Sequence, residues 1–176
     1  MTVGGACLLS LIAACQAPAD GAPAATSRTT TAAPKPAMVA SPPSSHPCRA
    51  QTPAEITTTA ARWLGDCPNG IADGLGVMRS GAGEPYEFFA GRMRAGRLVD
   101  GVLVLKSGLM MVAVRFDANR RVVVSNGLRP SEDEAVFRTA TAGAEAVAKR
   151  MASAGNKGSA AYYAALAKRI REAPPE

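Results

Sequence analysis

The spacing of apolar residues changes along the chain from strand-like runs to helical steps. Three short runs rich in β-branched and aliphatic residues are separated by turn residues: Val102–Leu105, Met110–Val114 and Val122–Val124. Such runs predict β-strands, and Ser107-Gly108 and Ala118-Asn119 are the expected hairpin tips. After residue 130 the apolar residues recur at three- and four-residue steps, which predicts helices. The fold class that follows is α+β.

The helices predicted over residues 131–176 form an αα-hairpin. The first opens at the capping box Ser131-Glu132-Asp133-Glu134, and the second opens at Ser159 and ends before Pro174. The stripes that they are expected to bury are Val136, Ala140, Ala144, Val147 and Met151, then Tyr163, Leu166 and Ile170. We expect the hairpin to pack on the sheet or to cap one of its ends. Docking on a partner helix or a membrane surface is the alternative for such thin, Ala-rich stripes.

A further short helix is predicted ahead of the strands. The segment Thr52-Pro53-Ala54-Glu55 has the form of a capping box with proline at the first helical position. We expect this helix to end near Arg62, inside the loop between Cys48 and Cys67. A single domain over residues 48–176 would then have the sheet in 48–130 and the helical hairpin in 131–176.

The segment before this domain is a predicted tether. Residues 16–47 are almost entirely Ala, Pro, Thr and Ser, and they show no apolar periodicity. A chain of this composition cannot bury enough apolar surface to offset the entropy lost on folding. It is typical of an extended linker that holds a folded domain away from its point of attachment.

An address signal precedes the tether. Residues Leu8 to Ala14 are apolar apart from Ser10, and the run ends in Ala13-Ala14-Cys15, too short to span a bilayer. This arrangement resembles the lipobox of bacterial lipoproteins, although residues 1–14 lack the usual Lys or Arg. Either the true start lies upstream or the signal is a degenerate one. The resemblance implies a signal peptide over 1–14, acyl chains such as palmitate on Cys15, and a tether over 15–47. With Gln16 after the cysteine, it also implies an outer-membrane lipoprotein that faces the periplasm.

Two cysteines remain for the domain itself. Cys48 and Cys67 in an exported chain are typical of one disulfide, worth about 3 kcal/mol on the chain-entropy model. Metal binding is the alternative, but two thiols without a nearby histidine make a poor zinc site.

Glycines recur at fixed distances from an aromatic residue. After Trp63 they occupy the offsets +2, +7, +11 and +13, at Gly65, Gly70, Gly74 and Gly76. This segment resembles the MORN repeat, which implies tight β-hairpins whose glycines allow close stacking while the aromatic side chain fills the space they leave.

A second copy of the pattern is less complete. From Phe89 it keeps Gly91 and Gly96, whereas Asp100 and Val102 take the later positions and Gly101 sits one place off. A third copy, with Val112, Val114, Phe116 and Asn119 in the same phase, has no glycine. The resemblance implies an antiparallel meander of stacked hairpins over about 63–125, whose ends need caps. An ordinary meander with glycine turns would have the same coarse shape.

The basic charge of the chain is that of a Lys/Arg-rich solvated surface, and anionic partners in the envelope are the alternative. The formal net charge is +6 and the pI is about 9.5. An exported protein would meet anionic lipid or peptidoglycan, so nucleic acid is not an expected partner. A possible partner surface combines Phe88 and Met93 with the basic residues Arg92, Arg94 and Arg97. The alternative is that these arginines only protect a sheet edge from aggregation.

The sequence predicts no enzyme. The one histidine, His46, lies in the tether, so Ser-His and Cys-His pairs are excluded from the domain. Asp66 and Asp73 occupy turn positions, where aspartate has backbone roles. We assign no catalytic residue, metal or cofactor.

The predicted function is that of a membrane-anchored lipoprotein that presents a MORN-like β domain for protein interaction or assembly in the cell envelope. The alternative is a protein that binds peptidoglycan or anionic lipid. An enzyme, the third class, would need a pocket that gathers Asp66, Asp73 and Glu87.

Overall fold

Short apolar strands build an antiparallel meander that carries two helices. The computed structural model describes residues 47–125 and 128–173. Its five-stranded sheet has the strand order of the sequence, β1-β2-β3-β4-β5, and a separate hairpin contains β6 and β7. The strands are β1 Arg62–Trp63, β2 Gly74–Ser80, β3 Glu87–Arg94, β4 Arg97–Val104, β5 Met110–Ala113, β6 Arg115–Phe116 and β7 Val122–Val123. The helices are α1 Pro130–Ser153 and α2 Lys157–Arg171. The predicted signal, Cys15 and residues 16–46 lie outside the described residues.

Both faces of the sheet are buried, which explains the nearly continuous apolar run in β4. Successive residues of a strand point to opposite faces. Val102 accordingly joins a cluster with the helices, whereas Leu103 joins a cluster on the other face. In that second cluster, residues of the 48–61 segment and of the β6–β7 hairpin pack against the side chains of the sheet. The strand runs and the two hairpin tips predicted from the sequence are confirmed to within one residue, except that β4 begins at Arg97, five residues before the predicted run.

The helices bury the stripes expected of them. Val136, Ala140, Ala144 and Val147 of α1, and Tyr163, Leu166 and Ile170 of α2, belong to the cluster on the helix face, and Met151 is half-buried beside it. The hairpin lies on the sheet, with α1 in contact with β2, β3 and β4. Of the two packing arrangements expected, the structure has the first.

The predicted starts of both helices were wrong by one or two residues. Helix α1 begins at Pro130, and its N-cap residue Arg129 makes no side-chain capping bond, so Ser131 lies inside the first turn. Helix α2 begins at Lys157 because the side chain of Asn156 accepts a hydrogen bond from the Ser159 amide at 3.0 Å. Because Asn156 is the N-cap residue, Ser159 lies inside the helix and donates its backbone amide to the cap.

The predicted N-terminal helix was wrong. Residues 50–61 form turns and extended chain, although Thr52-Pro53-Ala54-Glu55 has the local sequence of a helix start. The Ala54 amide donates to the Arg120 carbonyl at 3.0 Å, and the Glu55 carboxylate accepts from the Val122 amide at 2.8 Å. The Glu55 carboxylate, which a capping box would use, and the Ala54 amide are therefore engaged by the β6–β7 hairpin, and these tertiary bonds override the local preference.

A row of glycines crosses the sheet. Gly76 is the register partner of Gly91, which in turn faces Gly101. Gly65 stands beside Gly76, since a Cβ added to Gly76 would lie 2.5 Å from the Gly65 Cα. The register between β3 and β4 shifts next to Arg92, and this bulge sets Gly101 opposite Gly91. The glycine that seemed one place off in the sequence therefore belongs to the row.

Aromatic rings cover the glycine row on the face opposite the helices. A Cβ on Gly65 would lie 2.4 Å from Cζ2 of Trp63, and one on Gly101 would lie 2.5 Å from Cε2 of Phe89. Both rings are buried, and the Trp63 indole donates to the Asp66 carbonyl at 2.9 Å. The Trp63 and Phe89 rings thus occupy the space that these glycines leave. The turn glycines at 70, 74 and 96 take positive φ values of 74°, 75° and 78°.

Helix α1 touches the sheet backbone at one further glycine. A Cβ on Gly143 would lie 2.7 Å from the Gly76 carbonyl oxygen and 3.3 Å from that of Gly91. The helix therefore lies directly on the glycine row, with no side chain between the two backbones.

Gly143→Ala should destabilise the protein although alanine is the better helix former. We expect a loss of about 1–3 kcal/mol in the free energy of unfolding, because the added methyl group must displace the Gly76 backbone. Gly158→Ala in α2 is the matched control, since the nearest atom to its Cβ is at 4.0 Å. The control should gain up to about 1 kcal/mol. Chemical denaturation measures both, and equal stabilisation by the two variants would contradict the close packing.

The structure joins Cys48 to Cys67 through a disulfide with a Cα–Cα distance of 6.0 Å. Next to it, the Arg49 amide donates to the Gly70 carbonyl and the Ala72 amide donates to the Arg49 carbonyl, both at 2.9 Å. The disulfide therefore attaches the segment that covers one face of the sheet to the loop between β1 and β2.

Replacing Cys48 and Cys67 by serine should cost about 3 kcal/mol of stability. The loss would appear as a lower denaturation midpoint for the double variant, and the wild-type chain under reducing conditions should show the same midpoint. Identical midpoints for the oxidised wild type and the double variant would show that the crosslink contributes nothing.

Candidate functional site

An apolar groove runs along the edge of the sheet at β5. It encloses about 810 Å³ and lies between that edge and parts of both helices. The strand side of the groove includes Met110 and Val112, and Phe137 of α1 and Ala165 of α2 belong to the helix side. The groove exists because the helix pair overhangs the sheet at a strand that is the last in its order.

The outer side of β5 is open. No described strand pairs with it, and β4 pairs only with its inner side. The Leu105 amide donates to the Leu109 carbonyl at 2.9 Å, so alternate residues from Leu109 onward direct their main chain toward β4. The amides and carbonyls of Met110 and Val112 therefore face the groove.

Two exposed apolar side chains stand at this edge. Among the described residues, the large hydrophobic side chains that stand out in solvent are Leu109, Val124, Leu128 and Tyr162, with exposures of 51%, 59%, 80% and 39%. Leu109 and Val124 line the groove. Exposed apolar side chains that line a groove are compatible with an interaction site.

The charged groups of the groove differ in their partners. Lys168 and Glu172 pair with each other at 4.0 Å, and Arg169 donates to the Gly108 carbonyl at 2.8 Å. One carboxylate oxygen of Asp133, in the first turn of α1, is inaccessible and accepts no hydrogen bond from the described residues. The wall of the groove therefore contains an acceptor that still lacks a donor.

A smaller cavity of about 360 Å³ continues the groove along the two helices and shares Phe137 and Ala173 with it. Its charged residues are engaged with one another: Arg171 contacts Glu145 at 2.9 Å, and Arg138 lies 3.6 Å from Glu134. This part of the surface offers no polar group comparable with Asp133.

Part of the predicted partner surface is buried. Phe88 is 5% exposed beneath α2, and Met93 is 1% exposed in the cluster on the other face, so neither belongs to an exposed patch. The reason is that both faces of β3 are covered. Arg92 pairs with Asp100 at 3.0 Å, whereas Arg94 and Arg97 stand exposed on either side of the β3–β4 turn.

The carboxylates considered for chemistry have separate structural roles. Asp66 forms an ion pair with Arg150, and Asp73 accepts from the Ala95 amide at 2.8 Å. Glu87, the first residue of β3, accepts from the Thr57 amide at 2.8 Å. It pairs with Ser80, the residue at the end of β2 that is far from Asp73. Seven residues of extended strand, roughly 20 Å, separate Glu87 from Asp73. These three groups do not form a common site.

Residues 47–125 and 128–173 contain neither a metal-binding cluster nor a membrane-spanning helix. No group of three or more His, Cys, Asp or Glu side chains there is placed to hold a metal ion. No helix in these ranges is both long and apolar enough to cross a bilayer. Cys15, the predicted lipidation site, lies outside them.

Comparison with protein-family models, with curated proteins and with solved structures finds no match for this chain.

The groove is the feature that sequence reasoning missed. Its signal was present in the run Leu109–Ala113, which contains no charge and no proline although it ends the meander. Edge strands usually carry charged residues or proline, which protect them from pairing with another chain. What the sequence could not give is the course of α1 and α2, which leave this edge open.

The exposed apolar side chains of the groove should contribute little to stability. We expect Leu109→Ala and Val124→Ala each to change the free energy of unfolding by less than about 0.5 kcal/mol, because both are exposed. The matched controls are Leu103→Ala and Val102→Ala on the neighbouring strand, where Leu103→Ala should cost about 2–5 kcal/mol. Denaturant titration of the four variants checks this, and a large loss at Leu109 or Val124 would show that they belong to the core.

Proposed function

We propose that this chain is a lipid-anchored, non-enzymatic lipoprotein of the bacterial cell envelope, and that its folded domain binds a partner protein through the groove at β5. The observation that carries the proposal is the groove itself: an open strand edge beside exposed Leu109 and Val124, with an overhanging helix pair. Such a site suits a macromolecular partner, since recognition can use main-chain hydrogen bonds and apolar contacts together.

The proposed anchor is Cys15, at the end of the lipobox-like run. Attachment through several acyl chains would be firm, because each buried methylene contributes about 0.8 kcal/mol. The disulfide between Cys48 and Cys67 supports an oxidising compartment, as expected for a domain that faces the periplasm. Residues 16–47 would then serve as the tether between membrane and domain.

The domain is proposed to be MORN-like. Two features support this: the Trp63 ring lies against Gly65 and Gly76, and the Phe89 ring repeats the arrangement against Gly91 and Gly101. In this proposal the repeats are a scaffold, and the function is located at the end of the array, where the last strand is open.

A second candidate function rests on the exposed arginines. Arg94 and Arg97 flank the β3–β4 turn, and Gly96 of that turn packs against Arg49, which is also exposed. A basic cluster of this kind would bind peptidoglycan or anionic lipid, and its binding would weaken as salt rises.

Crosslinking in cells followed by affinity purification tests the main proposal. The wild-type chain should yield defined protein partners, and the double variant Leu109→Glu, Val124→Glu should lose them, because two carboxylates would face an apolar partner surface. The matched control is Ala152→Glu, Ala154→Glu, which adds the same charge at exposed positions near the end of α1. Retention of the partners by the groove variant would overturn the proposed site.

Two further variants separate the anchor and the second candidate. Cys15→Ala should release the protein from the membrane fraction, and continued membrane association would contradict the lipoprotein assignment. Arg94→Gln with Arg97→Gln should leave the protein partners unchanged. Loss of salt-sensitive binding to peptidoglycan or anionic vesicles in that variant, with no protein partner in the wild type, would favour the second candidate.

A further inference from the structure

We infer that the partner presents an extended segment which joins the sheet as a sixth strand beside β5, with a lysine or arginine that reaches Asp133. This inference rests on the proposed function, because it specifies what the groove holds. It depends on three observations: the direction of the main chain in β5, the lack of protection at this edge, and the unpaired acceptor in the wall of the groove.

The main chain of β5 offers a complete pairing surface. Met110 and Val112 each direct one amide donor and one carbonyl acceptor away from β4, as the hydrogen bond from Leu105 to Leu109 fixes. Two residues of this kind provide roughly four main-chain hydrogen bonds to a neighbouring strand. An extended segment satisfies them all, whereas a docked helix satisfies none because its own main chain is already paired.

The edge at β5 lacks the charged residues, the proline and the bulge that often prevent strand addition. Its four residues are all apolar, with no lysine, proline or bulge. The other edge of the sheet, β1, is only two residues long and contains the exposed Arg62. The contrast indicates that the β1 edge is protected from strand addition, whereas the β5 edge is available for it.

The overhanging helices determine which side chains of the segment would be recognised. Alternate residues of an added strand point toward the helices. On that side of β5 lie the half-buried side chains of Met110 and Val112, with Phe137 of α1 beyond them. We therefore expect apolar residues at every second position of the segment.

Charge complementarity completes the description of the partner. Asp133 is half-buried in the wall of the groove and forms no ion pair with a described residue, so its carboxylate is available to a cation from the occupant. A lysine or arginine would supply one and neutralise the carboxylate. The cations on the same wall are engaged already, Lys168 with Glu172 and Arg169 with the Gly108 carbonyl.

A selection from a library of random linear peptides, displayed against the full chain, tests the inference. The selected peptides should carry alternating apolar residues and a basic residue, and the amides of Met110 and Val112 should become protected from hydrogen exchange when such a peptide binds. Val112→Pro should weaken binding about tenfold or more, since proline removes the outward amide and its ring blocks the approaching strand. Val112→Ala keeps the amide and should stay within about threefold of wild type.

A second measurement keeps the test decisive if Val112→Pro perturbs the fold. The selected peptide is synthesised with N-methyl groups at alternate residues, which removes its own donors and leaves the protein unchanged. One of the two alternate methylation patterns should abolish binding and the other should be tolerated, because only one set of amides faces β5. Asp133→Ala should weaken a lysine-containing peptide more than its alanine analogue.

The outcomes distinguish this inference from the proposed function. If Leu109→Glu with Val124→Glu abolishes peptide binding while both methylation patterns and Val112→Pro leave it intact, the groove is the site but strand addition is wrong. If no selected peptide depends on the groove, the inference fails, and the crosslinking experiment judges the proposed function alone. Concentration-dependent dimers of the wild type that Val112→Pro abolishes would show that a second copy occupies the edge, and would also overturn it.

Discussion

The close approach of backbones at the glycine row is the constraint on which the rest of this structure depends. Gly76 and Gly91 are neighbours in the sheet, and Gly143 of α1 lies against both of their main chains. On the opposite face the rings of Trp63 and Phe89 occupy the space that side chains would otherwise fill. The main chain at the centre of the sheet is therefore in direct contact with the backbone of α1 on one face and with aromatic rings on the other. This arrangement suits a chain with few aromatic residues, because each ring covers two glycines at once.

The second face of the sheet depends on a segment with no regular structure. Residues 48–61 contribute Ile56 and partly buried neighbours to the cluster around Phe89. Their main chain is secured by bonds to Gly70 and Arg120, the Glu55 side chain accepts from the Val122 amide, and the disulfide holds Cys48. Tertiary hydrogen bonds thus replace the helical ones that the local sequence favours. A sheet with two buried faces needs such a cover, and an extended segment spreads over a larger area than a short helix.

Sequence reasoning reached the elements that depend on local periodicity. The strand runs, the hairpin tips and the apolar stripes of both helices follow from spacing alone, and the pairing of Cys48 with Cys67 follows from the count of cysteines. It failed where long-range contacts decide the outcome. Glu55 caps no helix because Val122 competes for it, and Phe88 and Met93 are buried because both faces of β3 are covered. The groove at β5 depends on where the helices end in space, which no local pattern of residues contains.

The disulfide also determines how a mechanical pull would travel through the domain. Tension applied to the chain ahead of Cys48 has a covalent route through the sulfur atoms to Cys67, and from there to β2. The residues between the two cysteines, which include the cover of the second face, are bypassed by that covalent route. A domain pulled from its N-terminal side would therefore transmit force to β2 before the segment between Cys48 and Cys67 is extended.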